Sequence, residues 1–182
     1  MKVKREMNCS EYLVDFLIKK GVTDIFGYAG GYIVPFMAAL QSRDEINVHV
    51  CYNEQGCSFA ANGYARVSGK IGVYFTTSGP GAVNALGGLA DAWFDGIPLI
   101  GICGNIPTNE QKGYSGIRQN GFQEMDIISV TRSITKYAVT PNDASKFPEI
   151  ISRAYNVAII GRKGGVIIDF PFNIQKADIA GR

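Results

Sequence analysis

The chain has 182 residues, enough for one domain with a substantial apolar core. Apolar residues make up 46%, charged residues 19%, and the formal net charge is +2, a balance that points away from nucleic acid and anionic membrane surfaces as partners. Four cysteines without a C-x-x-C pair and a single histidine, His49, argue against a zinc site and a disulfide framework, and favour a reducing, cytoplasmic setting.

Residues 1–21 carry basic groups before an apolar stretch, but Glu11 and Asp15 interrupt it and no small-residue cleavage site follows, so a signal peptide is not expected. No apolar run approaches the roughly 20 residues needed to cross a bilayer. Asn8 or Ser10 caps an expected helix with Tyr12, Leu13, Phe16 and Leu17 on one face, stopped at Gly21. Thr23 to Gly27 is a short β-type run ending in the turn Tyr28-Ala29-Gly30-Gly31, and a second helix is expected over Tyr32 to Gln41. Ile46 to Cys51 reads as a strand, and Glu54 to Ser68 as an alanine-rich helix closed near Gly69. Ile71 to Thr77 is apolar at nearly every position, as in a strand covered on both faces.

The turn Ser78-Gly79-Pro80-Gly81 leads into a helix to about Phe94, and Pro98 to Cys103 is the next buried strand. Gly104 to Gly121 is a polar, glycine-containing loop of the long kind that usually serves function. Phe122 to Val130 has a helical pattern, Ile134 to Val139 a strand pattern, Ala144 to Ile160 a helical one, and Val166 to Phe170 forms a last strand. Alternating strands and helices predict an α/β fold, a doubly wound, mainly parallel six-stranded sheet with helices on both faces. Residues 1–175 read as one domain, and 176–182 as the start of a linker to further domains.

In such sheets ligands gather outside the carboxyl ends of the strands. Three unusual turns fall there: Gly27 to Gly31, Asn53-Glu54-Gln55-Gly56, and Ser78 to Asn84. Their glycines allow close backbone approach and positive φ angles. A dinucleotide site is disfavoured, because Gly79-Pro80-Gly81 lacks the third glycine and no acidic residue ends the next strand. Glu54 stands at a helix start, where the helix dipole alone favours a carboxylate. Small neighbours (Gly56, Cys57, Ser58, Ala60 and Ala61) predict tight packing around it. A carboxylate drawn out of water can share a proton with a ligand nitrogen at neutral pH.

Gly27-Tyr28-Ala29-Gly30-Gly31, Glu54-Gln55-Gly56, the run Ala60 to Arg66, Thr77 to Asn84, and Phe122-Gln123-Glu124 together resemble the N-terminal pyrimidine-binding domain of thiamine-diphosphate enzymes of the acetolactate synthase family. The likeness runs from about Glu11 to Gln175. It implies that a glutamate at position 54 bonds the aminopyrimidine ring of thiamine diphosphate and drives proton removal from the thiazolium carbon. A 2-keto acid is then decarboxylated and its remnant ligated to a carbonyl acceptor, chemistry carried by the cofactor. By the same resemblance Tyr28, Ala29, Gly30, Thr77, Pro80 and Asn84 line the pyrimidine pocket, while Gln123, with Gly31 and Phe122, faces the reacting carbon.

The resemblance also implies that diphosphate and magnesium are held by a separate domain with a Gly-Asp-Gly…Asn-Asn motif, which this sequence lacks, and that two chains pair as a homodimer through the helices after Glu54 and Pro80. No metal ligand is assigned to this chain. The family's proline in the first turn is Ala29 here, Phe172 replaces a customary lysine, and the loop Asn105 to Gly121, with Lys112, Tyr114 and Arg118, is longer. A simple 2-keto acid decarboxylase or another carboligase is therefore an alternative. A catalytically silent module that only pairs with a partner subunit is another, against which intact Glu54 argues.

Overall fold

The computed structural model describes residues 7–113 and 115–179. Six strands, β1 (Asp24–Gly27), β2 (Asn47–Val50), β3 (Gly72–Thr76), β4 (Leu99–Asn105), β5 (Tyr137–Val139) and β6 (Gly165–Pro171), form one sheet in the order β2-β1-β3-β4-β6-β5. Every neighbouring pair is parallel. The helices are α1 (Cys9–Lys19), α2 (Val34–Gln41), α3 (Glu54–Ser68), α4 (Pro80–Asn84), α5 (Leu86–Asp95), α6 (Ile127–Thr131), α7 (Phe147–Ile159) and α8 (Phe172–Lys176).

The period of two along each buried strand sorts its side chains between two cores. Phe75, Ile100, Ile102, Val166, Ile168 and Phe170 face the side carrying α1, α2 and α7, with Leu13, Phe36 and Phe147. Tyr74, Leu99, Cys103 and Ile167 face the other side, with Ala61 of α3 and Leu89 of α5. On the first face Phe147 stacks on Phe170 with ring centroids 4.9 Å apart. On the second face small residues bring helix and strand together: a Cβ at Gly72 would lie 2.2 Å from the Ala61 carbonyl oxygen.

Local signals explain the ends that match expectation. Asn8 and Glu11 form a reciprocal capping box on α1, with Oδ1 of Asn8 accepting from Glu11 N–H at 2.9 Å. Asn53 caps α3 by accepting from Gly56 N–H at 2.7 Å, and Gly69 closes that helix in the left-handed region.

Four stretches differ from the sequence reading. The single helix expected to Phe94 is two, α4 and α5, broken at Ala85. Between Phe122 and Val130 only α6 is helical, because Gln123 has φ 57° and Asp126 caps the helix by accepting from Ser129 N–H at 3.0 Å. Strand β4 runs on through Gly104 to Asn105, paired with Phe170 and Pro171. Residues 176–179, read as the start of a linker, lie back against the domain: Ile179 N–H donates to the Met7 carbonyl, and Asp178 bridges Asn8. Of the three side chains noted in the long loop, Tyr114 lies outside the described residues.

Among the described residues no helix is long and apolar enough to cross a membrane.

Candidate functional site

Strands β2 and β3 flank β1 on opposite sides, so the chain reverses its direction of travel across the sheet at β1. A crevice opens at the carboxyl end of such a reversal, since the following connections leave over opposite faces. The three singled-out turns leave the ends of β1, β2 and β3, and therefore converge there.

Close glycine packing holds them together. A Cβ at Gly30 would sit 2.3 Å from Thr77 Cβ, and one at Gly81 would sit 2.9 Å from Thr77 Cγ2. Thr77 thus touches both the β1 turn and the start of α4, and its Oγ1 accepts from Tyr32 N–H at 3.4 Å. Of the glycines in these turns only Gly79 needs a positive φ, at 57°. Gly30 is extended, at φ −169°, and is required for proximity instead.

Glu54 is the first residue of α3, just past the end of β2. Asn84 Nδ2 donates to its Oε2 at 2.9 Å. Its Oε1 faces Gly81, where an added Cβ would stand 3.2 Å away. Among the described residues no hydrogen-bond donor is recorded on Oε1. The carboxylate was expected to be drawn out of water; within this chain it is half-buried. Asn84, expected to line the ligand pocket, is thus bonded to Glu54.

The other predicted residues take distinct places. Tyr28 follows β1 with 39% of its surface exposed, its backbone N–H bonded to the Phe75 carbonyl. Ala29, Gly31 and Pro80 are exposed beside it, and a Cβ at Gly31 would meet nothing within 4 Å. Gln123 arrives from the far loop and reaches the same corner: its carbonyl oxygen is 2.5 Å from where a Gly79 Cβ would be. Phe122, beside it, is 68% exposed.

Arg66 joins α3 to α5 through Asp91 at 2.7 Å and Asp95 at 2.6 Å, outside this corner. Burial pushes the Cys57 and Cys103 thiols up to about 12, so neither supplies a thiolate nucleophile.

Three residues that the sequence analysis named only as members of turns and motifs also contribute. Gly81 makes room at Oε1, and Asn53, a cap-type residue directly before Glu54, fixes the helix start. Glu124 gathers the loop that delivers Gln123, through bonds from Lys112 and Asn120.

Residues 7–130 match the family described as "Thiamine pyrophosphate enzyme, N-terminal TPP binding domain". The chain is 41% identical over 167 residues to "Acetolactate synthase 1, chloroplastic" of Oryza sativa subsp. japonica, covering 92% of this chain and 25% of that protein. It is 39% identical over 171 residues to "Acetolactate synthase isozyme 2 large subunit" of Escherichia coli, covering 94% and 30%. It is 39% identical over 163 residues to "Acetolactate synthase catalytic subunit, mitochondrial" of Saccharomyces cerevisiae, covering 90% and 23%. The chain thus spans about a quarter of the length of the curated relatives it matches.

Proposed function

The chain belongs to the thiamine pyrophosphate enzymes as their N-terminal domain, and from that premise we propose that it is the pyrimidine-binding half of an enzyme that decarboxylates a 2-keto acid and ligates the product to a carbonyl acceptor. One observation carries the reading: Asn84 occupies Oε2 of Glu54 and leaves Oε1 facing a gap kept open by Gly81. The donor set fits thiamine diphosphate. A carboxylate oxygen without a recorded partner suits a ring nitrogen, and a cradle of turns too tight for a Cβ at Gly30 or Gly81 suits the edge of a flat ring.

When bound, the cofactor supplies an electron-accepting ring for decarboxylation. Glu54 holds and returns a proton at Oε1, next to the ring nitrogen it would contact. Asn84 fixes the rotation of that carboxylate. Thr77, Gly30, Ala29 and Tyr28 form the wall of the ring pocket, with Pro80 at its rim. Gln123 and Gly31 stand toward the substrate side, Gln123 as a hydrogen-bonding amide and Gly31 as clearance.

Diphosphate and magnesium fall to another domain or subunit, and a second copy of the chain completes the pairing. Exposed Tyr52, Phe59, Val67 and Phe94 offer apolar surface for that contact. Four free thiols suit the cytoplasm.

The test is Glu54→Gln in the complete enzyme, read as exchange of the cofactor's thiazolium proton with deuterated solvent. The amide cannot take up and release the proton, so exchange slows by about 10²–10⁴-fold. An unchanged exchange rate would refute the assignment.

A further inference from the structure

The loop that delivers Gln123 is closed by one carboxylate. Glu124 Oε1 accepts from Lys112 N–H at 2.7 Å, and its Oε2 accepts from Asn120 N–H at 2.8 Å. Two further bonds tighten the same ring, Lys112 Nζ to the Arg118 carbonyl at 2.8 Å and Asn120 Nδ2 to the Glu110 carbonyl at 3.0 Å. Bonds from backbone N–H to an ionised carboxylate are about twice as strong as neutral ones. Residues 110–112 and 118–124 are thereby drawn together, and the returning stem lies on the β4 side, where a Cβ at Gly121 would stand 2.4 Å from Ile106 Cδ1.

The residue before this clasp is strained. Gln123 is the non-glycine residue with a positive φ among those described, at 57°. A side-chain-bearing residue held there costs about 1–3 kcal/mol and persists only when its surroundings over-determine it. Two surroundings do so here. On one side Gly79 lets the Gln123 backbone approach to a distance no other residue would permit. On the other, Glu124 ties the next peptide to both limbs of the loop.

We propose that Glu124 is the positioning residue of the Gln123 corner: its carboxylate clasps Lys112 to Asn120 so that Gln123 stays against Gly79, on the substrate side of the cofactor site. This rests on the site reading given above. Among the described residues the Glu124 carboxylate bonds to Lys112 and Asn120 and makes no hydrogen bond to Glu54 or the turn around it, so its effect separates from cofactor activation. Loss of the clasp releases Gln123 from its left-handed backbone and displaces its amide, and a displacement of about 1 Å at a positioning group is worth about a hundredfold in rate.

The experiment uses Glu124→Ala and Glu124→Gln in the complete enzyme. The alanine variant removes both acceptors, and the glutamine variant keeps one. The expected result is a fall in kcat/KM for the keto acid of about a hundredfold for alanine and about tenfold for glutamine. Thiazolium-proton exchange stays at the wild-type rate, while the Lys112 and Asn120 amides exchange with solvent faster. Faster amide exchange with unchanged turnover would overturn the proposal and leave Glu124 as a loop brace only. A matching fall in thiazolium-proton exchange would overturn it too, since the damage would then extend to the cofactor site. Absence of Glu54-dependent exchange in the wild-type enzyme would instead sink the site reading beneath it.

Discussion

Replacing Asp169 with asparagine isolates one buried proton. Asp169 lies on β6 with 4% of its surface exposed, and its Oδ2 accepts from both Asn105 Nδ2 and Thr140 Oγ1 at 2.8 Å. Burial pushes its carboxyl up from 3.8 to about 7, against the lowering effect of those two bonds. The folded state therefore binds this proton more tightly than the unfolded chain does. The resulting stabilisation is fully present below about pH 4 and is lost as pH rises through about 7. A tenfold change in proton affinity is worth about 1.4 kcal/mol, so the ceiling on that loss is about 4 kcal/mol. Because both donors converge on one oxygen, an asparagine can turn its carbonyl to them and set its NH₂ where the acid's O–H stands. Asp169→Asn thus imitates the protonated form at every pH. Urea unfolding of wild type and variant across this range gives the comparison. The wild type should weaken steadily between about pH 4 and pH 7 while the variant stays level and becomes the more stable of the two above about pH 7. An equal downward slope in both proteins would refute the assignment of that slope to Asp169.

Gly79→Ala should destabilise the fold by about 1–3 kcal/mol, from a positive φ forced on a residue with a Cβ and a contact 2.5 Å from the Gln123 carbonyl oxygen. A urea midpoint within error of wild type would contradict it. Asn84→Ala in the complete enzyme should slow thiazolium-proton exchange by about tenfold through a freely rotating Glu54 carboxylate. Asn84 is exposed, so the melting temperature should barely move. A large drop in melting temperature with normal exchange would give Asn84 a purely structural role.

The legibility of the sequence tracked whether a signal was local. Helix α3 was readable to the residue because Asn53 and Gly69 punctuate both of its ends. The nearly unbroken apolar run of β3 announced a strand buried on both faces, and the three turns converge at one corner of the sheet. What failed was decided by distant partners. Gly104 looked like a loop residue, yet a Cβ there would lie 2.3 Å from the Tyr32 carbonyl oxygen, so this glycine permits a strand to pass close to another segment. Gln175 looked like the last residue before a linker, but its Nε2 donates to the Tyr32 and Phe170 carbonyls at 2.7 Å, which anchors α8. The break at Ala85 has no turn residue to announce it. The helical pattern from Phe122 concealed a left-handed Gln123, whose conformation depends on Gly79 more than forty positions earlier.

The same distinction bears on why this chain offers one wall of a site. Everything that places Glu54 is internal: its helix cap, the bond from Asn84, and the clearance at Gly81. On the function proposed above, what Glu54 needs in order to act is external. A proton shared between Oε1 and a ring nitrogen is protected only when water is excluded from the pair. Yet Glu54 is half-buried, Tyr28 and Phe122 are open to solvent, and Tyr52 is fully exposed. A surface that prearranges a carboxylate and leaves large apolar side chains around it uncovered has the form of one face of a joint. On the function proposed above, an opposing face would meet Tyr52 and Phe122 with apolar surface and bring the cofactor's charged end with it, since the three turns around Glu54 present no cationic cradle.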